Sequence, residues 1–209
     1  MKNILILGAG GHGKVVASIL KLENNWDEIV FLDDNTELKE VNGIKVIDKI
    51  QNIAKYKGKY NYAFIAIGDN KIRANFFKKV IELGFEIPIV IHPFTSISEN
   101  TIIERGTVVM PGVVINTNTK IGFGCIINTS SNIDHDCYID SFVHVSPGVR
   151  IGGATRIGEY SWIGIGASII NNVSIGKNVT VAAGAVVINN VVDTVMVAGI
   201  PAKVKKIIK

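Results

Sequence analysis

The chain has 209 residues, 47% of them hydrophobic and 19% charged, which supports one large or two small domains with real cores and argues against disorder. Its formal net charge of +4 is modest. Lys203, Lys205, Lys206 and Lys209 crowd the C-terminus, a pattern that suits a local anionic contact better than a nucleic-acid surface. No apolar run approaches the roughly 20 residues of a membrane span. The short run in MKNILIL leads into glycines, which fits a strand and turn better than a signal peptide. Cys125 and Cys137 have no CxxC spacing, so neither a metal site nor a disulfide is expected. The expectation is a soluble cytoplasmic protein without nucleic-acid or membrane partners.

Residues 3–7, NILIL, read as a buried strand, and KVVASILKL from Lys14 reads as a helix. Between them stands Gly8-Ala9-Gly10-Gly11-His12-Gly13, a G-x-G-x-x-G turn in the strand-to-helix setting that motif requires. Glycine permits close approach of a phosphate, and a helix N-terminus presents free N–H groups to anions. Gly11, His12 and Gly13 are therefore candidate substrate contacts. A second strand, EIVFL at 28–32, ends in Asp33 and Asp34, which can accept hydrogen bonds from a ribose or base. A third, YAFIAI at 62–67, ends in Gly68, and the following helix carries Arg73. All three strand ends are polar or glycine-rich, as at the ligand edge of an open α/β sheet. The unit spans residues 1–90, too short for the second half that an NAD site needs, so a nucleotide-linked substrate is the better fit.

From Ile91 onward the chain falls into sixes. Position one is Ile or Val at every repeat from Ile91 to Val187, and position five is always small or β-branched. Position two is often Gly, Asp, Asn or Ser, residues suited to tight corners. A period of six fits neither an amphipathic helix nor the alternation of an open sheet. It fits a prism of short strands, three sixes to a coil, with position one inside and coils stacked roughly 4.8 Å apart. Cys125 and Cys137 both fall at position five and read as small core residues. The predicted fold is α/β plus all-β: a small Rossmann-like domain over 1–90, then a parallel β-helix with a C-terminal tail over 91–209. The β-helix resembles the hexapeptide-repeat proteins, and that resemblance implies a left-handed coil.

Within the sixes, NIDHDC at 132–137 sets His135 between Asp134 and Asp136. A histidine among carboxylates is ordinarily a solvated surface residue, but imidazole is also suited to accept a proton near neutral pH. His12 and His92 read as mainly structural, with His12 also placed to line the substrate pocket.

The segments GAGGHGKV (8–15), FLDDN (31–35), IAIGDNKIR (65–73), NTSSNIDHDCYID (128–140), FVHVSPG (142–148) and AGIPAK (198–203) together resemble one family over nearly the whole chain. It is that of the bacterial sugar O-/N-acyltransferases, and the resemblance is greatest to the UDP-4-amino-sugar N-acetyltransferases of bacillosamine synthesis. It implies acetyl-CoA as co-substrate, no metal, and a UDP-linked 4-amino-sugar as acceptor. It further implies His135 as general base and Asp136 as the acid that raises its basicity, with Asp here where Glu is common. His144, Ile165 and Ala183 match the acetyl-CoA contacts. O-acetylation of a sialic-acid-like sugar and N-acetylation of a GDP-amino-sugar are the enzymatic alternatives. A non-catalytic scaffold with a dinucleotide-sensing domain is the alternative of a different class.

Counting through the prism puts His135 at an outward corner, with Thr117 and Gly153 one coil either side. Pro147, Ile165 and Ala183 form a different corner, and a face of about five residues at roughly 3.3 Å each holds the two some 15 Å apart. A base and a thioester so separated cannot react within one chain. A cyclic homotrimer, the usual state in the family, would bring one chain's base edge to its neighbour's acetyl-CoA edge.

Overall fold

The computed structural model describes residues 2–208, so Lys209 of the basic tail lies outside the described residues. The chain divides into two compact units, Met1–Pro93 and Phe94–Lys209.

The first unit is built on a five-stranded sheet. Its strands are β1 (Asn3–Leu7), β2 (Glu28–Leu32), β3 (Glu40–Val41), β4 (Ile44–Asp48) and β5 (Tyr62–Ile65), in the order β3-β4-β2-β1-β5. β4, β2, β1 and β5 run parallel, and β3 turns back antiparallel on β4. β1 is buried along its whole length, as a continuous apolar run in a covered parallel sheet should be. Helix α1 (Gly11–Glu23) follows β1, and α2 (Asn70–Glu82) follows β5. The chain leaves β1 to one side for β2 and later joins its other side as β5, so the order reverses at the C-terminal end of β1. Such a reversal opens a crevice where α/β sheets take ligands.

Three details differ from the sequence reading. α1 starts at Gly11, three residues earlier than the apolar pattern shows, because extended Gly10 serves as its N-cap. β5 ends at Ile65, two residues early. The hairpin of β3 and β4 turns on Asn42 and Gly43, both at positive φ (51° and 75°), the Asn-Gly pair that a two-residue hairpin favours.

The second unit is a solenoid of two-residue strands. One coil contains Asn132–Ile133, Tyr138–Ile139 and His144–Val145. Each strand within the stack pairs in parallel with its equivalents one coil before and one coil after, for example Asn132 with Val114 and Arg150. Three faces result, and the period of six is the length of one face. Position-one residues are buried from Val109 through Val187, whereas Ile97 and Ile103 in the first coil are only half-buried. After Val187 the register stops, and an antiparallel pair, Val195–Ala198 with Lys203–Ile207, ends the stack.

Position five carries a second, polar register. Thr107, Thr119 and Ser161 are fully buried, and their hydroxyls donate to the carbonyls of Gly122, Asp134 and Gly176, fifteen residues on. Cys125 and Cys137 occupy the same position as buried thiols, not joined in a disulfide, and their Sγ atoms donate to the Asp140 and Gly152 carbonyls. The tight corner itself is made at position four: Asn118, Gly124, Ser130, Asp136, Gly148, Gly166, Asn172, Asn178 and Gly184 all have positive φ. Position two has a different task. Its glycines lie against the next coil, and a β-carbon on Gly164 would come within 2.6 Å of the Ala183 nitrogen.

Asn178, at φ 52°, tests the assignment of position four. Asn178→Gly should leave unfolding free energy within about 0.5 kcal/mol of the parent, since glycine adopts this backbone freely. Asn178→Val should cost about 1–2 kcal/mol or more. Urea unfolding of the intact chain measures both.

Candidate active site

His135 stands at position three of its six, on the corner between the Asn132–Ile133 and Tyr138–Ile139 strands. Its column is set by the coil-to-coil ladder: Asp136 N–H donates to the Thr117 carbonyl, Ala154 N–H to that of His135, and Asn172 N–H to that of Gly153. The turn orients the side chain. Asp134 Oδ1 accepts the His135 N–H at 2.8 Å, and Asp136, at φ 58°, places its Oδ2 2.7 Å from His135 Nδ1. An ionised carboxylate can only accept, so Nδ1 carries the proton, and in the neutral ring Nε2 is left bare. The shorter reach of Asp relative to Glu does not prevent the contact.

The electrostatics follow from this geometry. The Asp136 hydrogen bond, then the nearby Asp134 charge, raise the His135 pKa above its ordinary 6.5. Both carboxyls are lowered, Asp136 chiefly by His135 and Asp134 chiefly by Asn116. The imidazole leans over Gly153: a methyl group there would lie 2.7 Å from its Nε2 and Cε1. Around the ring is a hollow of about 490 Å³, walled by Asp134, Gly152, Gly153, Ala154, Ile170 and Asn171 among others. A second hollow of about 460 Å³ shares Asp134, Gly152 and Ile170 with it and is also lined by Arg150.

His144, Ile165 and Ala183 lie elsewhere on the prism. His144 points outward from its strand, stacked on Trp162 with centroids 5.7 Å apart, and its Nε2 lies 3.3 Å from Asn128 Nδ2. The Trp162 indole is fixed by donating to Ser146 Oγ at 2.8 Å, a neighbour the sequence reading did not pick out. Ile165 and Ala183 sit exposed on the next corner, where Gly166 N–H donates to the Pro147 carbonyl and Gly184 N–H to that of Ile165. Gly148, Gly166 and Gly184 make this corner bare, with nothing within 4 Å of where their β-carbons would be. A chain of amide and methylene groups could lie close along it. The structure thus brings His144, Ile165 and Ala183 to one edge and keeps His135 on another.

In the first unit, Gly8 to Gly13 and Gly68 flank the crevice at the end of β1. Gly11 and Gly68 are open, with nothing within 4 Å of a β-carbon position. Gly13 is buried, and a β-carbon there would strike the Gly8 carbonyl, so it closes the turn and offers a ligand no surface. Asp33 Oδ2 accepts from Ala9 N–H at 2.6 Å and its Oδ1 from Asn35 N–H, tying the end of β2 to the glycine turn. Asp34 accepts from Ile50 N–H at 3.1 Å. Arg73 is 1% exposed; its Nη1 donates to the Ile67 and Gly68 carbonyls and its Nη2 to Asn70 Oδ1. The Arg73 guanidinium, expected as a substrate contact, is here buried and braces the Gly68 loop. His12 is held neutral, its pKa lowered to about 4 by burial and then by Arg73, and its enclosed Nε2 has no hydrogen-bond partner. That orphan atom lies in the first turn of α1, whose N-cap Gly10 supplies no side-chain hydrogen bond, so the turn's N–H groups have no side-chain acceptor there.

Among the described residues no group of three or more His, Cys, Asp or Glu is placed to hold a metal ion, and no helix is long and apolar enough to cross a membrane. The stacked coils and outward histidine define a hexapeptide-repeat transferase, and the model of the bacterial transferase hexapeptide (six repeats) matches residues 154–189. That of the PglD N-terminal domain matches residues 3–80. GDP-perosamine N-acetyltransferase of Escherichia coli O157:H7 is 34% identical over 170 residues, 78% of this chain and 76% of that protein. UDP-N-acetylbacillosamine N-acetyltransferase of Bacillus subtilis (strain 168) is 32% identical over 117 residues, 53% of this chain and 52% of that protein. The acetyltransferase domain of PglB from Neisseria gonorrhoeae FA1090, solved in complex with acetyl coenzyme A, is 41% identical, with a TM-score of 0.94 over 98% of this chain and 99% of that one. The chain belongs to the sugar O-/N-acyltransferase family and is an acetyltransferase with the family's left-handed β-helix.

The fit of the imidazole over Gly153 is directly testable. Gly153→Ala should leave the circular dichroism spectrum unchanged. A crystal structure of the variant should show the His135 ring rotated away and its 2.7 Å contact with Asp136 lengthened or lost.

Proposed function

We propose that this protein is an acetyl-CoA-dependent N-acetyltransferase that acts on a nucleotide-linked 4-amino-sugar, with His135 as general base. The observation that carries the proposal is the His135 imidazole, its Nδ1 2.7 Å from Asp136 Oδ2 and its Nε2 over Gly153 beside an open hollow.

The chemistry needs little else. The sugar amine attacks the thioester carbonyl carbon, forming C–N as C–S breaks. The attacking nitrogen must lose a proton, which passes to His135 Nε2 and from there to the departing thiolate. Asp136 stabilises the imidazolium as it forms, and Asp134 adds a second negative charge. Acetyl-CoA would lie along the bare corner of Ile165 and Ala183, near His144, with Lys203, Lys205 and Lys206 as candidate partners for its phosphates. The nucleotide would occupy the crevice of the first unit, near Gly11, the orphan Nε2 of His12, Asp33, Asp34 and Gly68. Because the base edge and the acetyl-CoA edge are different corners of one prism, the site is completed between neighbouring chains of a homotrimer.

The nucleotide is read as UDP from the resemblance to the bacillosamine enzymes. GDP is the second reading, favoured by the match over most of the chain to a GDP-perosamine enzyme. Thiol release from acetyl-CoA, followed across UDP- and GDP-linked 4-amino-sugars and a sialic acid, decides between them. The proposal expects turnover with a UDP-linked amine; turnover only with a hydroxyl acceptor, or with none, would overturn it.

Two further outcomes are expected. His135→Ala should lower kcat by about 10²–10⁴ with the fold intact. In the parent, kcat/KM should be lost as pH falls through an inflection above 6.5, since the raised pKa keeps His135 protonated to higher pH. Asp136→Asn should move that inflection to lower pH while reducing kcat, read from pH–rate profiles of both proteins. Separately, Asp33→Ala should raise KM for the nucleotide sugar and leave KM for acetyl-CoA unchanged; equal increases in both would argue against the first unit as the nucleotide site.

A further inference from the structure

The coils on either side of His135 are chemically unlike. In its own coil the corner reads Asp134-His135-Asp136, in the coil below Asn116-Thr117-Asn118, and in the coil above Gly152-Gly153-Ala154. The lower coil supplies donors. Asn116 Nδ2 donates to Asp134 Oδ1 at 2.8 Å, and Asn118 Nδ2 to Asp136 Oδ1 at 3.2 Å. Thr117 turns away, its hydroxyl donating to the Glu99 carbonyl at 3.0 Å. The upper coil has no side-chain donor at these three positions to compete for the carboxylates.

We propose that Asn118, with Asn116 beside it, is a positioning residue for His135, holding the flanking carboxylates from below so that the imidazole is fixed with Nε2 toward the open upper side. The proposal rests on His135 being the base. Its physical ground is the stacking register. Asn118 and Asp136 both occupy position four at φ 58°, one coil apart, so their side chains leave the backbone in the same direction and the amide meets the carboxylate. With Oδ1 engaged by Asn118, Asp136 presents Oδ2 to Nδ1. A neutral amide suits the task, because a lysine would pair with the carboxylate and draw its charge from the imidazole. Asn116 does the same for Asp134, whose Oδ1 also holds the His135 backbone N–H. Asp134 and Asp136 are the ionisable groups that face the ring; Arg150 lines the adjoining hollow, and Glu99 lies two coils below.

Asn118→Gly removes the amide while keeping a residue at ease with positive φ. It should lower kcat about ten- to a hundredfold, as expected for a misplaced catalytic group, with both KM values within about twofold. The His135 pKa, followed by NMR titration of its ring protons, should fall toward the ordinary value. Asn118→Asp should also lower kcat but raise that pKa, because it adds a charge under Asp136. A merely structural role would not send the titration in opposite directions in the two variants. Parent-like kcat and titration in Asn118→Gly would overturn the proposal. His135→Ala, assayed alongside, keeps the two readings apart: full activity there refutes the base, whereas an inactive His135→Ala with a parent-like Asn118→Gly refutes only the positioning role.

Discussion

The structure depends on the hydrogen-bonded stacking of coils eighteen residues apart. Each coil is too small to enclose a core, and only when Ile133, Ile139 and Val145 lie on their equivalents above and below do their side chains leave water. That stacking also makes the chemistry possible. It aligns residues by column, so Asn118 meets Asp136, His135 leans on Gly153, and Ile165 shares an edge with Ala183. A site built this way has a rigid backbone beneath it, and its side chains vary column by column without altering the core.

Two of the three corners show how one scaffold carries different tasks. Where Gly148, Gly166 and Gly184 take the left-handed position, the corner is bare and its backbone approachable. Where Asn118 and Asp136 take it, the same backbone angle presents a polar ladder. Asn, Asp and Gly all tolerate that conformation, so the constraint of the turn leaves a choice between an open surface and a polar one. The proposed base and its supports use the second choice, and the proposed acetyl-CoA edge uses the first.

The sequence makes much of this legible because the period of six is long and unbroken. Burial of position one, the separate corners of His135 and Ile165, and the opening at Gly153 all follow from counting. What counting misses is conformational. Position two looks like the corner because it is rich in Gly, Asp and Asn, yet the positive φ falls at position four, where Phe142 and Tyr160 also occur. The glycines at position two answer instead to the next coil, a contact no local pattern displays. In the first unit the glycine turn reads clearly, but its division of labour does not. Gly13 is structural and Arg73 is spent on its own loop, because burial is decided by tertiary packing. The hairpin at Asn42-Gly43 had a local signal, and turn chemistry alone would have found it.

The central claim is that the catalytic histidine of one chain serves the acetyl-CoA edge of another. It is tested most directly by mixing two inactive variants, His135→Ala and Ala183→Trp, through co-expression, and assaying isolated mixed trimers. In such trimers some interfaces pair an intact histidine with an intact acetyl-CoA edge. The account predicts that these trimers regain activity that neither variant has alone. Mixed trimers that form but stay inactive would contradict it.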